Sequence, residues 1–222
     1  MLRKIAAVFM ISAAIPLTAN AAESALPPDS PVYVKVPAQL TAEWWQWAES
    51  IPDEMNPVSD PTGANCAVGQ RGRIWFLAGG FGSSKIRRVC TIPSGKAVFF
   101  PIINMVYWRS KEGSSFTCEQ AKANAMLNND TALDLFAELD GVPVPDIKQY
   151  RISTSKCFNV YERMPMSERP YNGYPSASDG YWLLLKPLKS GHHTLQFGGR
   201  YNRNSPNYGR MVQDIEYDLI VR

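Results

Sequence analysis

The chain opens with an unbroken apolar run, passes through one stretch of helical spacing, and then alternates apolar and polar residues at period two for much of its length. The run from Ile5 to Leu17 follows Arg3 and Lys4 and leads into Ala19-Asn20-Ala21, the pattern of a secretory signal peptide cleaved after Ala21. It is too short to serve as a permanent membrane anchor. Pro27, Pro28, Pro31 and Pro37 around Val32-Tyr33-Val34-Lys35-Val36 predict an extended lead-in over residues 22–38. Thr41, taken as an N-cap, predicts a short helix through Glu49 that ends before Pro52, with Trp44, Trp47 and Ala48 on one face and Trp45 off it.

Turn formers fill Met55 to Gly72, which reads as an irregular loop. Strands are predicted at Arg73–Ala78, Ile86–Ile92 and Ala97–Val106, the last so uniformly apolar that both its faces should be buried. A second helix is expected from about Thr117 to Leu127, capped by Ser114 or Ser115. Leu133, Leu135, Ala137 and Leu139 fall at period two, and Asp140-Gly141 then turns the chain into Val142 and Val144 as a hairpin. Further strands are predicted at Gln149–Ser153, Cys157–Tyr161, Tyr181–Leu185, His193–Phe197 and Asp214–Val221, with Met164–Asp179 as a long loop.

This pattern predicts a mainly β fold, an antiparallel β-sandwich of jelly-roll or Ig-like kind with one or two short α-helices packed on it. Residues 1–21 form the leader and 22–222 a single β-rich domain that could divide into 22–112 and 113–222.

Charge narrows the partners. Removing Arg3 and Lys4 leaves 21 of the 23 Lys and Arg against 20 Asp and Glu, with no basic run, so nothing electrostatic points to nucleic acid. No later apolar stretch is long enough to cross a membrane, and the expected location is the periplasm or the cell exterior. In that oxidising setting Cys66, Cys90, Cys118 and Cys157 read as two disulfides, although spacing leaves all three connectivities open.

Candidate chemistry is sparse. His192 and His193 are neighbours that would point to opposite faces of a strand, so no metal site and no cofactor is expected, with His193 beside Leu195 and Phe197 and His192 in solvent. Gly82-Ser83-Ser84 lacks the second glycine of a nucleophile elbow. Glycoside chemistry would need paired carboxyls near aromatic platforms, for which Glu43, Glu49, Asp53, Glu54 and Asp60 near the Trp cluster, or Asp179 beside Tyr181 and Trp182, are the candidates. Large aromatics are many, and Trp45, off the buried stripe, and the Tyr171/Tyr174 loop are those expected to face a ligand. Gln70, Lys96 and Asn104 are polar residues in apolar or turn segments, each needing a buried partner or a cleft. The candidate ligand-binding set is therefore Trp45, Gln70, Lys96, Asn104 and Tyr181. Gly69, Gly72, Gly79 and Gly95 are expected to serve turns with positive φ.

The pattern Trp44-Trp45-x-Trp47, Asn56-Pro57, Asp60-x-x-Gly63-x-x-Cys66-x-x-Gly69-Gln70-x-Gly72, Ile74-Trp75-Phe76-Leu77-Ala78-Gly79, Arg88-x-Cys90-x-Ile92-Pro93-x-Gly95-Lys96 and Phe99-Phe100-Pro101-Ile102-x-Asn104 resembles a family of secreted bacterial proteins of uncharacterised function. Leu139-Asp140-Gly141 and the run from Asp179-Gly180-Tyr181-Trp182 to Gly199 are similar to the same group, so the resemblance spans roughly residues 40–221. It implies export and a Cys66–Cys90 bridge, which leaves Cys118 to pair with Cys157, and it brings no catalytic residue. Closing the first ring stabilises by about 3 kcal/mol in the chain-entropy account. The function expected is that of a secreted, disulfide-stabilised binding or envelope-associated protein whose partner is a glycan or another small extracellular ligand. An extracellular hydrolase acting on glycans and a purely structural role in assembly are the alternatives.

Overall fold

The computed structural model describes residues 24–82, 85–111, 115–202 and 210–222. The predicted leader, and Ser83 and Ser84, lie outside the described residues. Helix α1 (Pro37–Glu49) is followed by strands β1 (Ile74–Phe76), β2 (Lys85–Ile92) and β3 (Ala97–Trp108), and then by helix α2 (Cys118–Asn129). Strands β4 (Ala132–Leu139), β5 (Val142–Pro143), β6 (Arg151–Ser153), β7 (Ser176–Leu185), β8 (Gly191–Asn202) and β9 (Arg210–Val221) complete the order.

The protein is mainly β, with two sheets. One has the order β1-β3-β7-β6 and the other β2-β9-β8-β4-β5. Both are mixed rather than antiparallel throughout, because β1 runs parallel to β3 and β2 runs parallel to β9. The chain reaches β3 from β1 by way of β2, which belongs to the other sheet, and this excursion brings it back in the same direction.

Period two accounts for the layers. Val98, Phe100 and Ile102 of β3 and Tyr181, Leu183 and Leu185 of β7 enter a core shared with Leu195, Phe197, Ile215, Tyr217 and Leu219 of the other sheet. The rings of Phe100 and Phe197 meet there at 4.6 Å. Ala97, Phe99, Trp182 and Leu184 point the opposite way, into a second cluster closed by Leu40, Trp44, Trp47 and Ala48 of α1. Trp182 stacks on Phe99 at 5.2 Å and receives the edge of Trp44 at 5.5 Å. The sheet holding β3 and β7 is thus buried on both faces, as the apolar run of β3 predicts.

Several boundaries differ from the sequence reading for identifiable reasons. Helix α1 begins at Pro37, a turn before Thr41, because proline fits the first helical position, where an N–H would find no partner in any case. Thr41 sits inside the helix and donates its hydroxyl to the Ala38 carbonyl. Helix α2 is capped by Thr117 rather than by a serine: its Oγ1 accepts from Gln120 N at 3.2 Å while Gln120 Oε1 accepts from Thr117 N at 2.8 Å. Cys157–Tyr161 forms no strand beyond a single bridge from Phe158 to Ser176. Side chains take its backbone donors, since Tyr161 N donates to Asn159 Oδ1 and Val160 N to Ser176 Oγ. Strand β7 starts at Ser176, inside the predicted long loop. The Asp140-Gly141 hairpin stands as predicted, with φ of 53° and 76° and Leu139 opposite Val142. The disulfides are Cys66–Cys90 and Cys118–Cys157.

Candidate functional site

Helix α1 presents three directions. Leu40, Trp44, Trp47 and Ala48 pack on the sheet, while Trp45 and Glu49, one turn apart, fall on a flank. That flank faces a gap in the sheet: β1 pairs with β3 only over Ala97–Phe99, and past Phe76 the chain diverges through Gly79, Gly80 and Phe81. The far half of β3, Asn104 to Trp108, therefore borders a hollow closed below by Tyr201, Met211 and Gln213 of the other sheet. Its volume is about 470 Å³, and Trp44, Trp45, Phe81, Met105, Tyr107 and Trp108 make its walls largely apolar.

Polar groups enter at few points. Gln213 Oε1 accepts from Gly80 N at 2.9 Å, and its Nε2 donates to the Ile102 carbonyl, so this side chain ties the diverging chain to β3. Gly79 leaves room for that approach: a Cβ there would stand 2.8 Å from Gln213 Oε1, and the amide would have to shift. It is not among the positive-φ glycines, which include Gly69, Gly72 and Gly95. Trp45 Nε1 donates to Ser178 Oγ at 3.0 Å, fixing the indole. Asn104 lines the hollow with its Nδ2 buried and without an acceptor among the described residues. Burial, and secondarily the charge of Asp53, push the Glu49 carboxyl above the usual glutamate range. Behind the wall, Trp108 Nε1 and Tyr161 OH both donate to Tyr171 OH, at 3.0 and 3.3 Å. Burial, then the Tyr171 hydroxyl, drive the Tyr161 phenol strongly upward.

Of the candidate ligand residues, Trp45 and Asn104 share this hollow and the others lie elsewhere. Gln70 braces the loop before β1, donating to the carbonyls of Cys66 and Phe76 and accepting from Phe76 N at 3.0 Å. Lys96 Nζ caps the Gly72 carbonyl. Tyr181 is buried in the core between the sheets. Tyr171 stands behind Trp108, and Tyr174 is exposed.

The carboxylates are dispersed. Glu43 pairs with Lys35 at 2.6 Å. Asp53 and Glu54 are exposed in the 3-10 turn after α1. Burial alone would raise Asp60, yet its pKa is lowered because it accepts from Asn65 N, Thr62 Oγ1 and Thr62 N with Arg88 nearby. Asp179 is buried against Arg151 and Ser153. Among the described residues Glu49 is the carboxyl that lines the aromatic hollow.

His193 contacts Asp140 Oδ2 at 2.7 Å and the Lys189 carbonyl at 2.9 Å, locking the ring at the hairpin, while His192 is exposed. Among the described residues no group of three or more His, Cys, Asp or Glu is arranged to hold a metal ion. Nor is any described helix long and apolar enough to cross a membrane.

Sequence reasoning missed Gln213 and the Gly79-Gly80 divergence. A signal for Gln213 was present, because it continues the inward register of Ile215, Tyr217, Leu219 and Val221 along β9.

No protein-family model matches the chain, and no curated protein matches it. A solved structure, the solution structure of amebosin, matches with a TM-score of 0.19 and 8% identity over 61% of this chain and 95% of that one, too distant to carry an argument.

Proposed function

We propose that this is an exported, disulfide-stapled protein that binds a small ligand in the aromatic hollow beside α1. One observation carries the reading: Trp45, Met105 and Trp108 converge with Glu49 and Asn104 on a single 470 Å³ concavity where, among the described residues, β3 keeps β7 on one edge but has lost β1 on the other. That volume lies within the range of small-molecule sites, and apolar walls with few polar groups are their usual make-up. Phe81 at the rim keeps 79% of its surface in solvent, an arrangement that favours covering by a bound molecule. A ligand with an apolar face and a hydrogen-bond acceptor suits the walls and the Asn104 Nδ2, which has no acceptor among the described residues, and a sugar ring has both. The two disulfides agree with an extracellular or periplasmic location.

Hydrolysis of a glycan is the second reading, favoured by the raised Glu49 carboxyl, which would suit a general acid. It needs a second carboxyl across the hollow, whereas Asp53, the charge that acts on Glu49, follows it along the chain at the end of α1.

The test is a thermal-shift screen of glycans and small apolar compounds, repeated on Trp45→Ala. A binder raises the melting temperature of the parent protein by mass action, by about 2.7 kcal/mol of stability at a hundredfold excess over Kd. The shift is expected to vanish in Trp45→Ala. A full panel without a shift, or shifts that survive the substitution, would remove the hollow as the binding site.

A further inference from the structure

The opposite flank of α1 carries a second concavity of different chemistry. Glu43 and Gln46, three residues apart, face a hollow of about 530 Å³ on the side away from Trp45 and Glu49. Arg71 and Arg73 reach it from the loop leading into β1, Arg163 from the loop before β7, and Lys35 from the turn before α1. Four cations thus stand against one carboxylate, and Glu43 is already engaged by Lys35, which contacts both its oxygens at 2.6 and 2.7 Å. Among the described residues no carboxylate pairs with Arg71, Arg73 or Arg163. Arg73 instead lies over the Tyr33 ring at 4.0 Å, and Arg163 donates to the Gly69 carbonyl at 3.3 Å.

We propose that this hollow binds a phosphate ester, the three guanidinium groups holding the phosphate oxygens and Tyr33 and Phe76 lining the space for the esterified group. Guanidinium forks match oxyanions with paired hydrogen bonds, and a lone carboxylate would use one fork and leave the rest unanswered. A doubly charged phosphate fits the surplus better. The volume exceeds what a bare phosphate fills. Arg163 is partly buried, and burial followed by the adjacent Arg71 charge holds its guanidinium below the usual arginine value despite the opposing pull of Glu43, as expected where positive charge is crowded. The loop that carries Arg71 is anchored by the Cys66–Cys90 bridge, and Arg163 is tied to that loop at Gly69. This site is independent of the aromatic hollow.

The experiment is calorimetric titration of the full mature chain with inorganic phosphate, a hexose phosphate, and vesicles containing phosphatidic acid. Its controls are acetate and the remote variant Arg200→Ala. Inorganic phosphate is expected to bind, the hexose phosphate more tightly, and acetate far more weakly. Arg71→Ala and Arg163→Ala should each weaken phosphate about tenfold, the equivalent of one charge-assisted hydrogen bond. Glu43→Gln should tighten it, an opposite sign that damaged folding would not produce. Vesicle binding competed by inorganic phosphate assigns the ester to a lipid headgroup, and hexose phosphate binding without vesicle binding assigns it to a soluble ester. The proposal is overturned if inorganic phosphate does not bind, if Arg71→Ala and Arg163→Ala bind it no differently from Arg200→Ala, or if vesicle binding resists phosphate competition.

Discussion

Arg88 shows how one residue can organise a region. It is 1% exposed, and its register in β2 aims it inward with Cys90 and Ile92. Its Nε donates to the Asp60 carbonyl, Nη2 to the Val58 carbonyl, and Nη1 to the carbonyls of Ala78 and Gly79 and to Tyr217 OH. The guanidinium thereby joins the irregular loop after α1, the divergence at Gly79 and strand β9, which are the parts that shape the aromatic hollow. A lysine keeps the charge but offers a compact ammonium that cannot span acceptors placed for a fork. Arg88→Lys is expected to lower stability by about 3 kcal/mol or more, since it leaves buried acceptors unmet around a buried charge. Urea denaturation against Arg87→Lys, on the exposed side of the same strand, measures this, and a loss under about 1 kcal/mol would mean that the cage adapts.

Elements differ in how far local sequence determines them. Helix α2 is the most local case: Thr117 and Gln120 exchange backbone and side-chain bonds at its start, and the cap lies at the surface, where little packing compensates. Thr117→Ala should therefore cost about 1 kcal/mol, read from the urea midpoint, with Thr117→Ser close to the parent. Period two located β4, β8 and β9 in the sequence, a nearly continuous apolar run located β3, and Asp140-Gly141 located the hairpin, because each signal lies within a few residues. Pairing direction was not legible. The parallel pairs β1 with β3 and β2 with β9 depend on which sheet each strand joins, and no short-range turn records that choice. The candidate site was legible in part for the same reason. The phase of α1 set Trp45 apart from the core stripe, and Asn104 stood out as an amide in an apolar strand. That the two meet in one hollow follows from β1 ending after three residues, a tertiary fact. Gln70 and Lys96 carried the same polar-in-a-turn signal and prove to satisfy loop carbonyls, so the signal alone does not separate bracing from binding.

At the scale of the whole molecule the two disulfides bear on where folding can occur. Their rings, closed over separations of 24 and 39 residues, do not overlap in sequence, so the chain entropy each removes from the unfolded state adds to the other's. At about 3.5 kcal/mol apiece they contribute about 7 kcal/mol, comparable with the 5–15 kcal/mol net stability of an ordinary domain. The first bridge ties the loop that carries Arg71 to β2, and the second ties the start of α2 to the segment after β6, so their loss should loosen different regions. Urea titrations are expected to show Cys66→Ala/Cys90→Ala and Cys118→Ala/Cys157→Ala each losing about 3.5 kcal/mol, with the fourfold variant losing close to the sum. A fourfold variant as stable as the parent would show that the sheets and α1 suffice, and would detach the fold from an oxidising compartment. The expected near-additive loss would instead make export a condition of stability, since a chain held reduced would retain only the margin left by its core.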